Sequence, residues 1–142
     1  MATLSTVTSS PAASPALLTD TDVLQRVRDL VRHAIVDGRL WLFFVDGDGK
    51  QAPVVVPIDD LPPLPDEDLL PNLGAVLRGV ADDLVTELGP GSVVCILERL
   101  GPETTSTADR AWAAGLVRTC HEVDVALRGV FLASTAGVRR LC

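Results

Sequence analysis

A chain of 142 residues has the length of one domain and can bury a sizeable core. It is 47% hydrophobic but only 4% aromatic, and its formal net charge is −7. That balance weighs against nucleic-acid binding: phosphate affinity comes mainly from Lys and Arg, and so few aromatics supply no stacking platform for single strands.

The core must be aliphatic, packed from Leu and Val. No apolar run approaches the roughly 18–20 residues that cross a bilayer, so no membrane span is expected. Residues 1–18, MATLSTVTSSPAASPALL, lack a basic n-region and a continuous apolar stretch. Rich in Ser, Thr, Ala and Pro, they read as a disordered tail ahead of a single domain, 19–142. Cys95, Cys120 and Cys142 are too few and too scattered for a disulfide framework, which points to the reducing cytoplasm.

Thr19-Asp20-Thr21-Asp22 supplies capping oxygens for a first helix, whose stripe Val23, Val27, Leu30, Val31, Ala34 and Ile35 runs to Gly38. LWLFFVD (40–46) is apolar on both parities and predicts a strand buried on both faces. QAPVVVPID (51–59) is the next strand. Pro53 and Pro57 share parity, so their missing N–H groups fall on one side, which places this strand at a sheet edge.

Pro62, Pro63 and Pro65 then lead through Asp66-Glu67-Asp68 into a second helix, with a stripe from Leu69 to Leu88 and a stop at Gly89-Pro90-Gly91. SVVCILERL (92–100) predicts a central strand. A third helix starts at Ser106 or Thr107, with Ala108, Trp112, Leu116 and Cys120 facing in. VALRGVFLA (125–133) is a further strand, and Val138–Leu141 a short last one whose Arg139 and Arg140 discourage edge pairing. The expected fold is α/β: a mixed five-stranded sheet of order 2-1-3-4-5, counted along the chain, flanked by three helices in the succession α-β-β-α-β-α-β-β.

This succession resembles the cytidine-deaminase-like scaffold. That family holds zinc through a His-x-Glu at the second helix and a Pro-Cys-x-x-Cys at the third. Here those places read Pro65-Asp66-Glu67-Asp68 and Ser106-Thr107-Ala108-Asp109, so the resemblance implies the architecture without the chemistry. The segments LWLFFVDGDGKQ, PIDDLPPLPDEDL, ILERLGP and TSTADRAWAAGL are similar to a group of small uncharacterised proteins of high-GC Gram-positive bacteria, a likeness that implies no activity. The His-x-His of JAMM-type peptidases is absent, because His33 and His121 stand alone.

VDGDGK (45–50) begins like a calcium loop, with Asp46 and Asp48 at the first and third ligand positions. The fifth position, however, is Lys50 and the twelfth is Pro57, so a hairpin turn is expected and no metal. Asp59, Asp60 and Glu98 could gather at one sheet end and hold magnesium for phosphoryl or hydrolytic chemistry. Glu98, Arg99, Ser106 and Thr107 are the better candidate: a charged pair at the end of a central strand, then helix-start amides able to grip an anion or a partner's carboxylate. The competing expectation there is an internal salt bridge with routine capping.

Cys95 reads as a core thiol, and adjacent Cys120 and His121 diverge too far to form a nucleophile–base pair. There is no Walker loop and no G-x-S-x-G elbow, so no catalytic residue and no cofactor are assigned. The sequence therefore favours a non-enzymatic cytoplasmic binding or accessory module, as a homodimer or with a protein partner. The alternative is a small metal-assisted hydrolase or phosphoryl-transfer enzyme using Asp59, Asp60 and Glu98.

Overall fold

The computed structural model describes residues 15–142 and, ahead of them, two short strands, β1 (Thr3–Leu4) and β2 (Val7–Thr8). The remaining elements are α1 (Asp20–Leu30), β3 (Arg39–Val45), β4 (Gln51–Asp59), α2 (Leu69–Asp82), β5 (Ser92–Glu98), α3 (Thr107–Glu122), β6 (Ala126–Ser134) and β7 (Gly137–Arg140). The five main strands lie in the order β4-β3-β5-β6-β7, which is the expected 2-1-3-4-5. β5 and β6 run parallel and the other neighbours antiparallel, so the sheet is mixed as expected.

Alternation along the strands divides the core into two layers. Leu42, Phe44, Val93, Cys95 and Leu97 face α2 and α3, meeting Leu73, Leu77, Trp112 and Leu116. Phe43, Val94, Ile96 and Phe131 face the other way, onto Val23 and Val27 of α1. β5 is buried along its whole length, as its continuous apolar run predicts.

VDGDGK forms the turn. The Asp46 carboxylate accepts from the amides of Asp48 (2.9 Å) and Lys50 (3.0 Å), and Gly49 takes positive φ. The Asp46 oxygen that a calcium loop would offer to an ion is thus occupied by the chain itself.

Two boundaries differ from the sequence periodicity. The apolar stripe of α1 continues to Ile35, but the helix stops at Leu30 and Val31 is already extended. The Ala34 amide then donates to Ser134 O (2.8 Å), and the next two amides go to Glu98, so tertiary acceptors replace the helical ones. α2 likewise ends at Asp82 rather than near Leu88; Thr86 and Gly89 close a tight turn, pinned to the hairpin by Gly47 N to Leu84 O (3.0 Å).

The prolines of β4 sit where the missing N–H groups do least harm. Trp41 is in register with Pro57, so the bonds to β3 fall to the flanking Val56 and Ile58, and Pro53 lies in an irregular stretch opposite Phe44. β4 is outermost of the main strands, yet its edge is not open. β1 pairs at Ile58–Asp59 and β2 at Val54–Val55, leaving the outer ladder interrupted at Pro57.

Of the tail expected over residues 1–18, positions 1–2, 5–6 and 9–14 lie outside the described residues. The described remainder needs correction: Thr3–Leu4 and Val7–Thr8 are strands paired with β4, and the last part is docked as well. Pro15 O accepts from Gln51 N (2.9 Å), Leu17 N donates to Gly49 O (2.6 Å), and Leu17 is only 2% exposed. Leu17 is a core residue that its Ser/Thr/Pro-rich surroundings disguise.

Candidate functional site

The C-terminal end of β5 carries the charged residues singled out in the sequence, and their environments separate them. Glu98 follows the parity of Val94 and Ile96, so its side chain lies on the α1 face. It is 2% exposed, and its carboxylate is saturated by donors. Oε2 accepts from the amides of Ile35 (2.8 Å) and Val36 (3.2 Å), and Oε1 from the indole Nε1 of Trp41 (2.7 Å). These bonds hold the 31–38 segment against the sheet and leave Ile35 itself 71% exposed.

Asp59 shares this face, and Arg39 joins the two acids. Its Nε bonds Asp59 Oδ1, its Nη1 lies 3.9 Å from Glu98 Oε1, and its guanidinium stacks 5.2 Å from the Trp41 ring. Asp60 is an exposed turn residue at φ 58°. The triad Asp59, Asp60 and Glu98 is therefore not assembled: a cation stands at the place between the two acids where a metal would have to sit. Among the described residues, no group of three or more His, Cys, Asp or Glu is placed to hold a metal ion.

Arg99 points to a different partner. It grips Asp109 bidentately (Nε–Oδ1 2.8 Å, Nη2–Oδ2 2.7 Å) and donates to the carbonyls of Pro102 (2.9 Å) and Thr104 (3.0 Å). Asp109 also closes a capping box, accepting from Ser106 N (2.9 Å) while its own amide donates to Ser106 Oγ (3.0 Å). Burial alone would raise the Asp109 carboxyl, but the bonds from Arg99 and Ser106 outweigh it and hold it below the ordinary aspartate value. The bond to Asp109 in turn raises Arg99.

Of the candidate group Glu98, Arg99, Ser106 and Thr107, the structure joins only Arg99 and Ser106, and through a third residue. Glu98 is committed to the 31–38 segment, and Thr107 is an exposed helix-start residue. Asp109 is the functional-site residue that the sequence reading misses. The pattern Ser106-x-x-Asp109 that announces a capping box was its available signal. A small cavity of about 230 Å³ remains between this pair, Trp112 and Pro62–Pro63.

The cysteines are free, with Cys95 and Cys120 buried and Cys142 exposed. Burial pushes the Cys120 thiol up to about 11 and Cys95 well above the ordinary value. His121 is exposed beside buried Cys120, so the two do not meet as a dyad.

A larger depression, about 750 Å³, runs between α3 and β7. Arg110, Arg118 and His121 line it from the helix and Arg139 from the strand, over a floor that includes Ala113 and Val117. Arg140 forms the rim; its guanidinium lies 5.6 Å from the Phe131 ring and 3.6 Å from Asp20. Three of the chain's 12 basic residues, Arg110, Arg118 and Arg139, thus meet on the groove side, with Arg140 at the rim turned to the other face of β7, in a protein of net charge −7. The lining includes one acidic side chain, Asp109, which is already paired with Arg99.

This groove was not read from the sequence. In the sequence Arg139 and Arg140 look like guards of an edge, and Arg110, Ala114, Val117 and His121 form a helical stripe on the face away from Trp112 and Leu116. No family model, curated protein or solved structure matches the chain.

Proposed function

We propose that this chain is a non-enzymatic cytoplasmic α/β module that acts by binding, and that the groove between α3 and β7 is its contact surface. The observation that carries the reading is the local reversal of charge: arginines converge on one apolar-floored depression while the molecule as a whole is acidic. Such a surface attracts an anionic partner at short range, and the net charge repels polyanions at long range. The internal engagement of Glu98 and Arg99 supports the same reading, since both are bonded within the fold rather than directed at a substrate.

A library of short peptides of graded net charge, read by fluorescence polarisation, tests it against wild type and Arg110→Gln with Arg118→Gln. Both arginines are exposed, so the variant should keep the wild-type melting midpoint. Affinity should rise with negative peptide charge and fall several-fold in the variant. Affinity indifferent to charge, or equal binding by both proteins, would remove the groove as the contact surface.

The alternative, a metal-assisted hydrolase, rests on Asp59 and Glu98 lying on one face of the sheet, and it requires a metal ion to displace the Arg39 guanidinium that stands between them. Calorimetric titration with magnesium and manganese addresses it. A saturable site in wild type that is lost on Asp59→Asn with Glu98→Gln would favour the enzyme.

A further inference from the structure

We infer that the groove takes an acidic peptide segment in extended conformation, added as a strand to the outer edge of β7. The inference rests on the binding reading above and specifies its partner and mode.

β7 is the last strand of the sheet among the described residues. Its pairing fixes which main-chain groups remain available. Ser134 is in register with Gly137 and Leu132 with Arg139, and Leu141 N donates inward to Val130 O (2.7 Å). By the alternation of an antiparallel ladder, Gly137 and Arg139 turn their N–H and C=O towards β6 and Leu141 its N–H, with Cys142 O taking the Val130 amide, while Val138 and Arg140 turn theirs outward. Those outward groups are the template that an incoming strand uses.

The side chains around that edge say what kind of strand. Arg139 is in register with Leu132, which faces α2 and α3; its side chain therefore projects on the groove side, with Arg110 and Arg118. Arg140 is in register with Phe131, on the opposite face. An added strand alternates its side chains between the same two faces, so each parity meets a guanidinium. Acidic side chains on the groove side would pair with Arg110 and Arg139, whereas Arg118 already lies 3.9 Å from Glu122 and Arg140 3.6 Å from Asp20, and the floor at Ala113 and Val117 accepts small apolar side chains.

The lengths agree. Arg110 to His121 spans about 16 Å of helix, and the four residues of β7 span about 13 Å of strand.

Two other occupants fit less well. A second copy pairing antiparallel through β7 would set arginines against arginines, which is destabilising. A nucleic acid meets a net charge of −7 and a lining that contains no Phe, Tyr or Trp side chain on which to stack.

The test uses the full chain and a short capped peptide alternating glutamate and valine. Two further peptides carry N-methyl groups on alternate amides, one for each parity, and an oligothymidylate serves as the non-peptide polyanion. On adding the parent peptide, the amides of Val138 and Arg140 should shift and gain exchange protection. One of the two methylated peptides, whose methyls face β7, should bind about tenfold or more weakly, while the other binds like the parent. Arg110→Gln with Arg118→Gln should weaken the parent several-fold at an unchanged melting midpoint.

If both methylated peptides match the parent, strand addition is overturned although charge-dependent binding stands. Absence of charge-dependent peptide binding would take down both readings together. Binding of the oligothymidylate in preference to the peptide overturns the proposal in favour of a nucleic acid. Sedimentation as a dimer, with Val138 and Arg140 protected before any peptide is added, overturns it in favour of a second copy.

Discussion

Glu98→Gln isolates what the buried carboxylate contributes. The substitution keeps the shape and one acceptor oxygen. If that oxygen stays on the Ile35 and Val36 amides, the new NH2 group faces the Trp41 Nε1–H, donor against donor. The flipped amide serves the indole and opposes the two backbone amides instead. In each rotamer at least one buried donor loses its acceptor, about 1–3 kcal/mol, and the remaining bonds lose their charge assistance. The expected destabilisation is about 2–4 kcal/mol, a lowering of the melting midpoint by roughly 6–15 °C for a chain of this size.

Asp59→Asn is the internal comparison. Its side chain is 39% exposed and its ion pair with Arg39 is screened, so it should cost under about 1 kcal/mol. Urea denaturation followed by tryptophan fluorescence gives both values. Amide exchange then locates the effect, with Ile35 and Val36 exchanging faster in Glu98→Gln. Equal stabilities for the two variants within about 0.5 kcal/mol, with Ile35 and Val36 exchange unchanged, would refute the anchoring of 31–38 by Glu98.

Leu17→Ala should destabilise by about 2–3 kcal/mol in the same urea assay, because the side chain is 2% exposed among Val23, Val27 and Phe43; a change under about 0.5 kcal/mol would return residue 17 to the tail. Gly47→Ala drives a Cβ into Gly89 O and should lower stability by more than about 2 kcal/mol, whereas Gly79→Ala, in open space on α2, should raise it by about 0.5–1 kcal/mol. Asp109→Asn removes the acceptor gripped by Arg99. Since the folded carboxyl lies below its unfolded value, the stability it supplies is complete above about pH 4 and lost as pH falls through the folded value, so the wild type's advantage over this variant should be level near neutrality and narrow in acid.

What was legible in the sequence was whatever local pattern alone determines. The run Ser92–Glu98 is apolar on both parities, and only a strand buried on both faces satisfies it. Pro57 in β4 forces the bonds to β3 onto its neighbours, which is why the proline strand could be placed outermost of the main five. Lys50 and Pro57 at two calcium-ligand positions left VDGDGK to be a turn. The places where the reading ran past the structure share one cause, a partner distant in sequence. The stripe Val31, Ala34 and Ile35 has helical period, but its amides find Ser134 and Glu98, and a hydrogen-bond acceptor 63 residues away leaves no local trace. Leu17 has no periodic neighbours to betray it, and it is buried by docking beside the Gly49 turn.

The same reasoning explains why the candidate site shifted from the end of β5 to α3 and β7. In a sequence, an acid next to an arginine looks like a pair waiting for a ligand, as Glu98 and Arg99 did. Adjacent strand residues, however, project to opposite faces, so Glu98 was drawn to α1 and its loop while Arg99 found Asp109, one turn into the helix that follows. Conversely, arginines scattered over 110–140 look like solvated surface, because nothing local brings Arg110 to Arg139. The crossover from β5 through α3 to β6, followed by the hairpin to β7, lays the helix beside the edge strand and gathers them. A charge that is neutralised inside the fold carries little information about a partner. Charges of one sign brought together by topology, against the net charge of the molecule, carry more, because electrostatic repulsion opposes that gathering and a complementary partner relieves it.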